Sequence, residues 1–337
     1  MDTIRNKLVK GMLIAEIGSV HDGSFGNAKA LIEAAAWAGA DAVKFQIHIF
    51  SCESIAGAPN PPYFDGEDRE KYFSRTAFSE DQWAHLKQFA NEMGLIFIAS
   101  PFSVEALALL ELLDVPLHKI ASGELTNLPL LSAVAQTGKP VLLSTGMSDW
   151  NEIEAAIAIF DKVDVVVPMQ CTSLYPCPPE RVGLNVIAEM TKRFNRPAGF
   201  SDHSLGTAMP IAAAALGVRV IEKHITLSRR MYGSDAVNAT EPEMFKKMCA
   251  DVRAIWASQD NPVDKDDLSE MKDMKQIFEK MIVAREDLPA GIILKFEDLA
   301  FKKPCIGVRA DRASELIGRR TNIEIKADQP LVEEMFE

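Results

Sequence analysis

Gly199-Phe200-Ser201-Asp202-His203-Ser204 and Val218-Arg219-Val220-Ile221-Glu222-Lys223-His224 are two short β-type runs that each end in acid, base and ligand residues. One helix-length segment, residues 207–216, separates them. The spacing predicts two neighbouring parallel strands whose C-terminal ends each deliver a histidine. Two imidazoles at one edge of a sheet can bind a divalent metal, with carboxylate or water completing the shell.

Outward from this pair, apolar β-branched runs alternate with helix-period segments from residue 12 to about 256, the mark of repeated βα units. Eight strands are predicted, at 12–17, 42–46, 95–100, 118–122, 141–144, 163–170, 198–201 and 218–222. Amphipathic stretches lie between them, at 27–38, 81–93, 104–113, 128–136, 151–160 and 184–194. Several hand over to the next strand through Gly39, Gly94, Gly138 or Gly217, as helix C-caps do. Eight units predict an α/β chain folded as a closed (β/α)8 TIM barrel. An open doubly wound sheet fits less well, because no G-x-G-x-x-G follows the first strand.

In such a barrel the chemistry sits at the C-terminal ends of the strands. Here those ends carry Glu16; Lys44 and Gln46; Ser100; Lys119 and Ser122; Ser144; Gln170 and Ser173; Ser201, Asp202 and His203; Glu222 and His224. Polar residues also start ordinary turns, so any one of them alone is ambiguous. All eight ends being polar, with two lysines and two histidines among them, marks a site.

One connection is long. Residues 47–79 carry Ala58-Pro59-Asn60-Pro61-Pro62-Tyr63-Phe64 and a charged stretch, and the aromatics predict an ordered lid. The barrel is expected over 1–256, a polar linker over 257–279, and a small, mostly β domain over 280–337. A domain of that size gains stability by packing on something else.

With 337 residues, 47% apolar and 25% charged, the chain can bury a large core. A net charge of −12 argues against a nucleic-acid surface, so an anionic ligand must be met locally by lysines. No apolar run of about eighteen residues appears, and Met1-Asp2-Thr3-Ile4-Arg5 lacks a signal-peptide core, so no membrane partner and a cytoplasmic location are expected. The five cysteines (Cys52, Cys171, Cys177, Cys249, Cys305) are odd in number and contain no C-x-x-C. They read as reduced thiols.

Several motifs resemble the sialic acid synthase family: Ile14-Ala15-Glu16-Ile17-Gly18 with His21 and Gly23, Asp41-Ala42-Val43-Lys44-Phe45-Gln46, Lys119-Ile120-Ala121-Ser122-Gly123-Glu124 and Ser144-Thr145-Gly146-Met147. So do Cys171-Thr172-Ser173-Leu174-Tyr175-Pro176, Ser201-Asp202-His203 and Glu222-Lys223-His224. Asp287-Leu288-Pro289-Ala290-Gly291 and Lys303-Pro304 are similar to that family's C-terminal antifreeze-like (SAF) domain. The matches run through nearly the whole chain in order and spacing.

The resemblance implies a transferase that condenses phosphoenolpyruvate with an N-acylated amino-sugar aldehyde to give a nonulosonic (sialic-type) acid and phosphate, using Mn2+ or Mg2+. It also implies a domain-swapped homodimer in which each SAF domain covers the partner's barrel mouth. Carried onto this sequence, Lys44 and Lys119 are the cations for phosphoenolpyruvate. Ser122, Ser144 and Ser201 donate to its phosphate, and Ser100 and Ser173 to its carboxylate. His203 and His224 hold the metal, with Glu222 orienting nearby groups; Glu16 handles protons at the reacting carbon. Tyr175, Gln46 and Asp235 contact sugar hydroxyls. His48, His85 and His118 lie outside the motifs and read as structural, and His21 stays open.

Three positions depart from the family pattern. Val20 stands where an Asn usually precedes His21, and Met231-Tyr232-Gly233-Ser234-Asp235 replaces a Gly-Pro-Asp stretch. Lys303 occupies the place of an arginine that reaches the neighbour's substrate acyl group, and a lysine is a point cation, not a bidentate fork. The changes touch the sugar side and spare the phosphoenolpyruvate motifs. Two other readings compete: a Schiff-base aldolase using Lys119 or Lys223, and a non-catalytic carbohydrate-binding or assembly protein.

Overall fold

The strands are β1 (Met12–Gly18), β2 (Ala42–Ile47), β3 (Ile96–Pro101), β4 (His118–Ile120), β5 (Val141–Ser144), β6 (Val166–Gln170), β7 (Gly199–Asp202) and β8 (Val220–His224). They form one parallel sheet in the order β3-β2-β1-β8-β7-β6-β5-β4. Pairing of β1 with β8 rolls the sheet into the expected (β/α)8 topology. Its seam lies between β3 and β4, the two ends of the ladder. The computed structural model describes residues 2–60, 67–233 and 235–337. They form two compact units, Met1–Asn261 and Pro262–Glu337.

Alternation along each strand decides what faces inward. Met12, Ile14, Ala42, Ile98, Leu142, Val167, Met169 and Val220 fill the barrel. Ile4 and Leu8, one turn apart on the N-terminal helix Asp2–Lys10, join the same cluster. The opposite parity, including Leu13, Val43, Phe45, Phe97, Phe200 and Ile221, packs in the main core with the surrounding helices. Each such buried side chain contributes roughly 1.5–3 kcal/mol. Two residues beyond the last apolar inward position, the same parity delivers Glu16, Lys44, Ser100, Ser144, Cys171 and Glu222 to the C-terminal end.

Local chemistry sets the helix starts. Ser79 with Gln82, and Asp149 with Glu152, form capping boxes at the starts of Glu80–Glu92 and Trp150–Ile159. The long connection after β2 is not a bare loop, for it carries helices Phe50–Glu53 and Arg69–Thr76. Arg75 anchors it, donating to Glu67 at 2.8 Å and to Asp22 at 2.7 Å. Residues 61–66, with Tyr63 and Phe64 of the expected lid, lie outside the described residues.

Helix Pro242–Asp260 ends the first unit, so residues 257–260 of the expected linker are helical. In the second unit, a helix at Lys272–Phe278 precedes an antiparallel pair, β9 (Met281–Ala284) and β10 (Leu299–Lys302). Ile282, Leu294, Leu299, Leu316, Ile325 and Leu331 make its core. Among the described residues no helix is long and apolar enough to cross a membrane.

Candidate active site

Strand register assembles the mouth of the barrel. Glu16 on β1 is the ladder partner of Lys44 on β2 and of His224 on β8. Gln46 stands opposite Ser100, and Ser201 opposite Glu222. Residues far apart in sequence are thereby fixed by backbone pairing, which is as rigid a placement as a fold offers.

Two lysines and two glutamates make the centre. Nζ of Lys44 lies 2.8 Å from Oε2 of Glu16 and 3.6 Å from Oε1 of Glu222, and it donates to Oγ of Ser100 at 3.3 Å. Nζ of Lys119 donates to Oγ of Ser144 at 2.6 Å and to the Ile120 carbonyl at 3.2 Å, and lies 3.7 Å from Oε1 of Glu222. The Ser201 hydroxyl donates to that same carboxylate oxygen at 3.3 Å. All four charged side chains are at most 5% exposed.

Burial and pairing then divide the protons. Burial drives the Glu16 carboxyl up, Lys44 pulls it back, and Glu222 adds to the rise, leaving it at about 7. Burial also pushes Glu222 up, but Lys119 and Lys44 outweigh it and hold that carboxyl below its usual value. Lys44 is held above the ordinary lysine value because Glu16 and Glu222 overcome the penalty of burial. For Lys119, burial wins and the ammonium is weakened. Glu16 is thus the carboxyl poised to exchange a proton near neutrality, and Glu222 the one that stays ionised.

The histidines face one another across the β7–β8 ends, with ring centroids 5.5 Å apart. Nδ1 of His203 donates to the Thr172 carbonyl at 3.0 Å, which orients the ring, and Nε2 lies 3.1 Å from Oη of Tyr175; burial pushes this imidazole down, but Cys171 and the Thr172 carbonyl outweigh it and hold it above its usual value. Burial pushes the His224 imidazole down to about 4, against the pull of Asp235, so the ring is neutral at pH 7. Its Nδ1, and Oε2 of Glu222, are buried with no hydrogen-bond partner in the described structure. Two imidazoles on one rim, one of them neutral with an orphan nitrogen, and an orphan carboxylate oxygen suit a divalent cation. Among the described residues no three His, Cys, Asp or Glu side chains form a ready-made metal cluster, so water or substrate would complete the shell.

Around Gly146 the hydroxyls converge. Its N–H donates to Oγ of Ser122 at 3.0 Å, and its carbonyl accepts from the Ser173 N–H at 3.3 Å. A Cβ there would overlap Oγ of Ser173 and come within 2.9 Å of Oγ of Ser122 and Sγ of Cys171. Asp235 accepts from the Ser19 N–H at 3.2 Å, and a Cβ on Gly18, whose φ is +51°, would meet Oδ2 of Asp235 at 2.8 Å and Oε1 of Glu16 at 3.2 Å.

Not every rim residue turns toward the mouth. Gln170 has outward parity, and its amide donates to the carbonyls of Val182 and Cys171. Asp202 and Lys223 also point away; Nζ of Lys223 lies 2.5 Å from Oδ2 of Asp202 and donates to the Ser204 carbonyl. That buried pair steadies the segment bearing His203, and Lys223 is no free nucleophile. Lys303 lies in the second unit, exposed, with Nζ 5.1 Å above the Phe278 ring. His21 accepts the Gly23 N–H at 3.1 Å and packs on Phe78, and burial holds it down at about 4.

Cys171, part of a motif but given no role, and His48, expected to be structural, both stand at the site. Cys171 sits 3.8 Å from Nδ1 of His203; burial raises its thiol, but His203 and Lys119 bring it below the ordinary value. Its inward parity after Val167 and Met169 was readable. His48 is bonded to Gln46, a contact no spacing announces.

A parallel barrel whose mouth gathers two lysines, two carboxylates and two histidines has the make-up of an enzyme active site. Residues 31–264 match the NeuB family and residues 279–337 the SAF domain, and the chain belongs to the NeuB family. It is 35% identical over 330 residues to N,N'-diacetyllegionaminic acid synthase of Campylobacter jejuni, covering 95% of this chain and 98% of that one. It is 32% identical to the human N-acetylneuraminate-9-phosphate synthase, with 96% and 92% covered. The crystal structure of the N-acetylneuraminic acid (sialic acid) synthetase of Leptospira borgpetersenii superposes with a TM-score of 0.69 at 30% identity, over 79% of this chain and 90% of that one.

Proposed function

We propose that this enzyme condenses phosphoenolpyruvate with an N-acylated amino-sugar aldehyde, forming a nonulosonic acid and releasing phosphate. The observation that carries the reading is Lys44 and Lys119 sharing Glu222 on the same rim as His203 and His224. Phosphoenolpyruvate needs fixed cations and several donors, and Lys44, Lys119, Ser100, Ser122, Ser144, Ser173 and Ser201 supply them. Glu16, near half-protonation at pH 7, would move a proton as water adds to the former enol carbon and phosphate leaves. The names of the relatives, synthases of N,N'-diacetyllegionaminic acid and of N-acetylneuraminate 9-phosphate, support this class of product.

Two lysines facing two carboxylates leave little net positive charge for a trianionic substrate. A divalent ion, Mn2+ or Mg2+, held by His203 and His224 would supply it and polarise the sugar aldehyde. Tyr175, Gln46 and Asp235 are the proposed sugar contacts. We place the reaction in a homodimer whose SAF unit covers the partner's mouth; Met271, Met274, Ile277 and Phe278, each about half exposed, fit burial against a second subunit. Deleting residues 280–337 should then weaken sugar affinity more than phosphoenolpyruvate affinity, and equal losses would count against the cover. Phosphate release with phosphoenolpyruvate and a panel of free and phosphorylated amino sugars tests the reaction itself. No release with any acceptor would sink it.

A further inference from the structure

Next to the lysine–glutamate centre lies a chain of contacts leading away from it. Nε2 of Gln46 donates to Oε1 of Glu16 at 2.7 Å, and Oε1 of Gln46 lies 3.1 Å from Nε2 of His48. Nδ1 of His48 is 3.0 Å from both carboxylate oxygens of Glu53, in the short helix Phe50–Glu53. The His48 ring is stacked on both Phe73 and Phe102, each at a centroid distance of 4.0 Å. Its side chain is 10% exposed and that of Glu53 5%. A ring stacked on two others and bonded at each nitrogen has a single orientation.

We infer that His48 is a positioning residue, whose Nε2–H fixes the Gln46 carboxamide so that the amide's NH2 stays on Oε1 of Glu16. A carbonyl oxygen only accepts, so Nε2 must carry a proton wherever the proton shared by Nδ1 and Glu53 resides. Without His48 only the Glu16 contact holds the amide, and a rotation would turn its oxygen toward the ionised form of Glu16, replacing an attraction with a repulsion. The bond leaves Gln46 one N–H and one lone pair for substrate. Glu53 and the two phenylalanines thus act on Glu16 at second hand, through a side chain that touches it.

The inference rests on the proposed reaction for its kinetic arm and is independent of it for its spectroscopic one. His48→Phe keeps an aromatic ring in the slot and removes the donor. It should lower kcat at least about tenfold while the phosphoenolpyruvate KM stays within about twofold. In a double-mutant cycle, His48→Phe on a Gln46→Ala background should cost less than about twofold more, because the group it positions is gone. Wild-type turnover in His48→Phe, or losses that simply multiply, would overturn the inference. Should His48→Phe fail to fold, His48→Gln, which can still donate near the same point, takes its place and should retain most of the activity. Long-range 1H–15N spectra of the histidine-labelled wild-type protein, assigned by difference from the variant, should show Nε2 of His48 protonated; an unprotonated Nε2 overturns the inference. A protein that turns over no acceptor sinks the reaction, while the spectrum still decides the hydrogen bond.

Discussion

Oε2 of Glu16 and Nζ of Lys44 lie 2.8 Å apart on neighbouring strands, buried together under the barrel mouth. The ladder pairs the two residues directly, so backbone register sets their side chains next to each other. Glu16→Gln keeps the shape and removes the titrating group, so kcat should fall by about a hundredfold or more. The limb of the pH–rate profile near pH 7 should vanish with it. A remaining limb there would assign the proton to another group.

The same carboxyl predicts a stability trend. Its value rises from 4.5 unfolded to about 7 folded, so the folded state binds the extra proton between those limits. The stability it contributes is complete below pH 4.5 and is lost as pH climbs to 7. Wild type should therefore weaken relative to Glu16→Gln across that window, by at most about 3 kcal/mol. Chemical denaturation of both proteins at pH 5 and pH 7.5 measures it.

Lys44→Met takes the cation from beside Glu16 and one of the two that hold Glu222, which keeps Lys119. It should cost on the order of 3 kcal/mol of stability, as breaking buried pairs does. Phosphoenolpyruvate affinity should drop as well, and calorimetric titration reads the second effect separately from the first.

Gly146→Ala is expected to leave the fold nearly intact and spoil the site, because the added methyl meets two serine hydroxyls and a thiol that can turn aside. Stability should fall by about 1–3 kcal/mol, the usual cost of one added methyl in a packed site. The phosphoenolpyruvate KM should rise about tenfold or more, because displaced donors no longer meet the anion. An unchanged KM would place the anion elsewhere.

Chelation should abolish phosphate release, and Mn2+ or Mg2+ should restore it. His203→Ala and His224→Ala should stay folded and inactive at any metal concentration that saves wild type. Borohydride with a keto acid should trap no adduct. Lys119 is the residue to watch, since burial weakens its ammonium as a Schiff-base lysine requires. Lys223 is already committed to Asp202.

Much of this was legible from residues alone, and parity explains where it stopped. The alternation that predicts eight strands also sorts inward from outward, so Gln170, Asp202 and Lys223 could have been set apart from Ser201, His203 and Glu222 on sequence. Cys171 was equally readable by parity and was hidden by its chemistry, since a lone thiol announces nothing. His48 was out of reach: its ring gains meaning only from Phe73, Phe102 and Glu53, brought together by a connection whose path no periodicity encodes. The helices inside that connection are short, and short helices leave a weak pattern.

Hydrogen bonding round the barrel is interrupted at one place, between β3 and β4. Solvent exchange of backbone amides should therefore enter along that line first, as the cheapest way to breathe. Ser100 and Lys119 stand on the two sides of it, so the break in the ladder runs beneath the proposed substrate anchors, and a bound anion bridging them would act as a rivet.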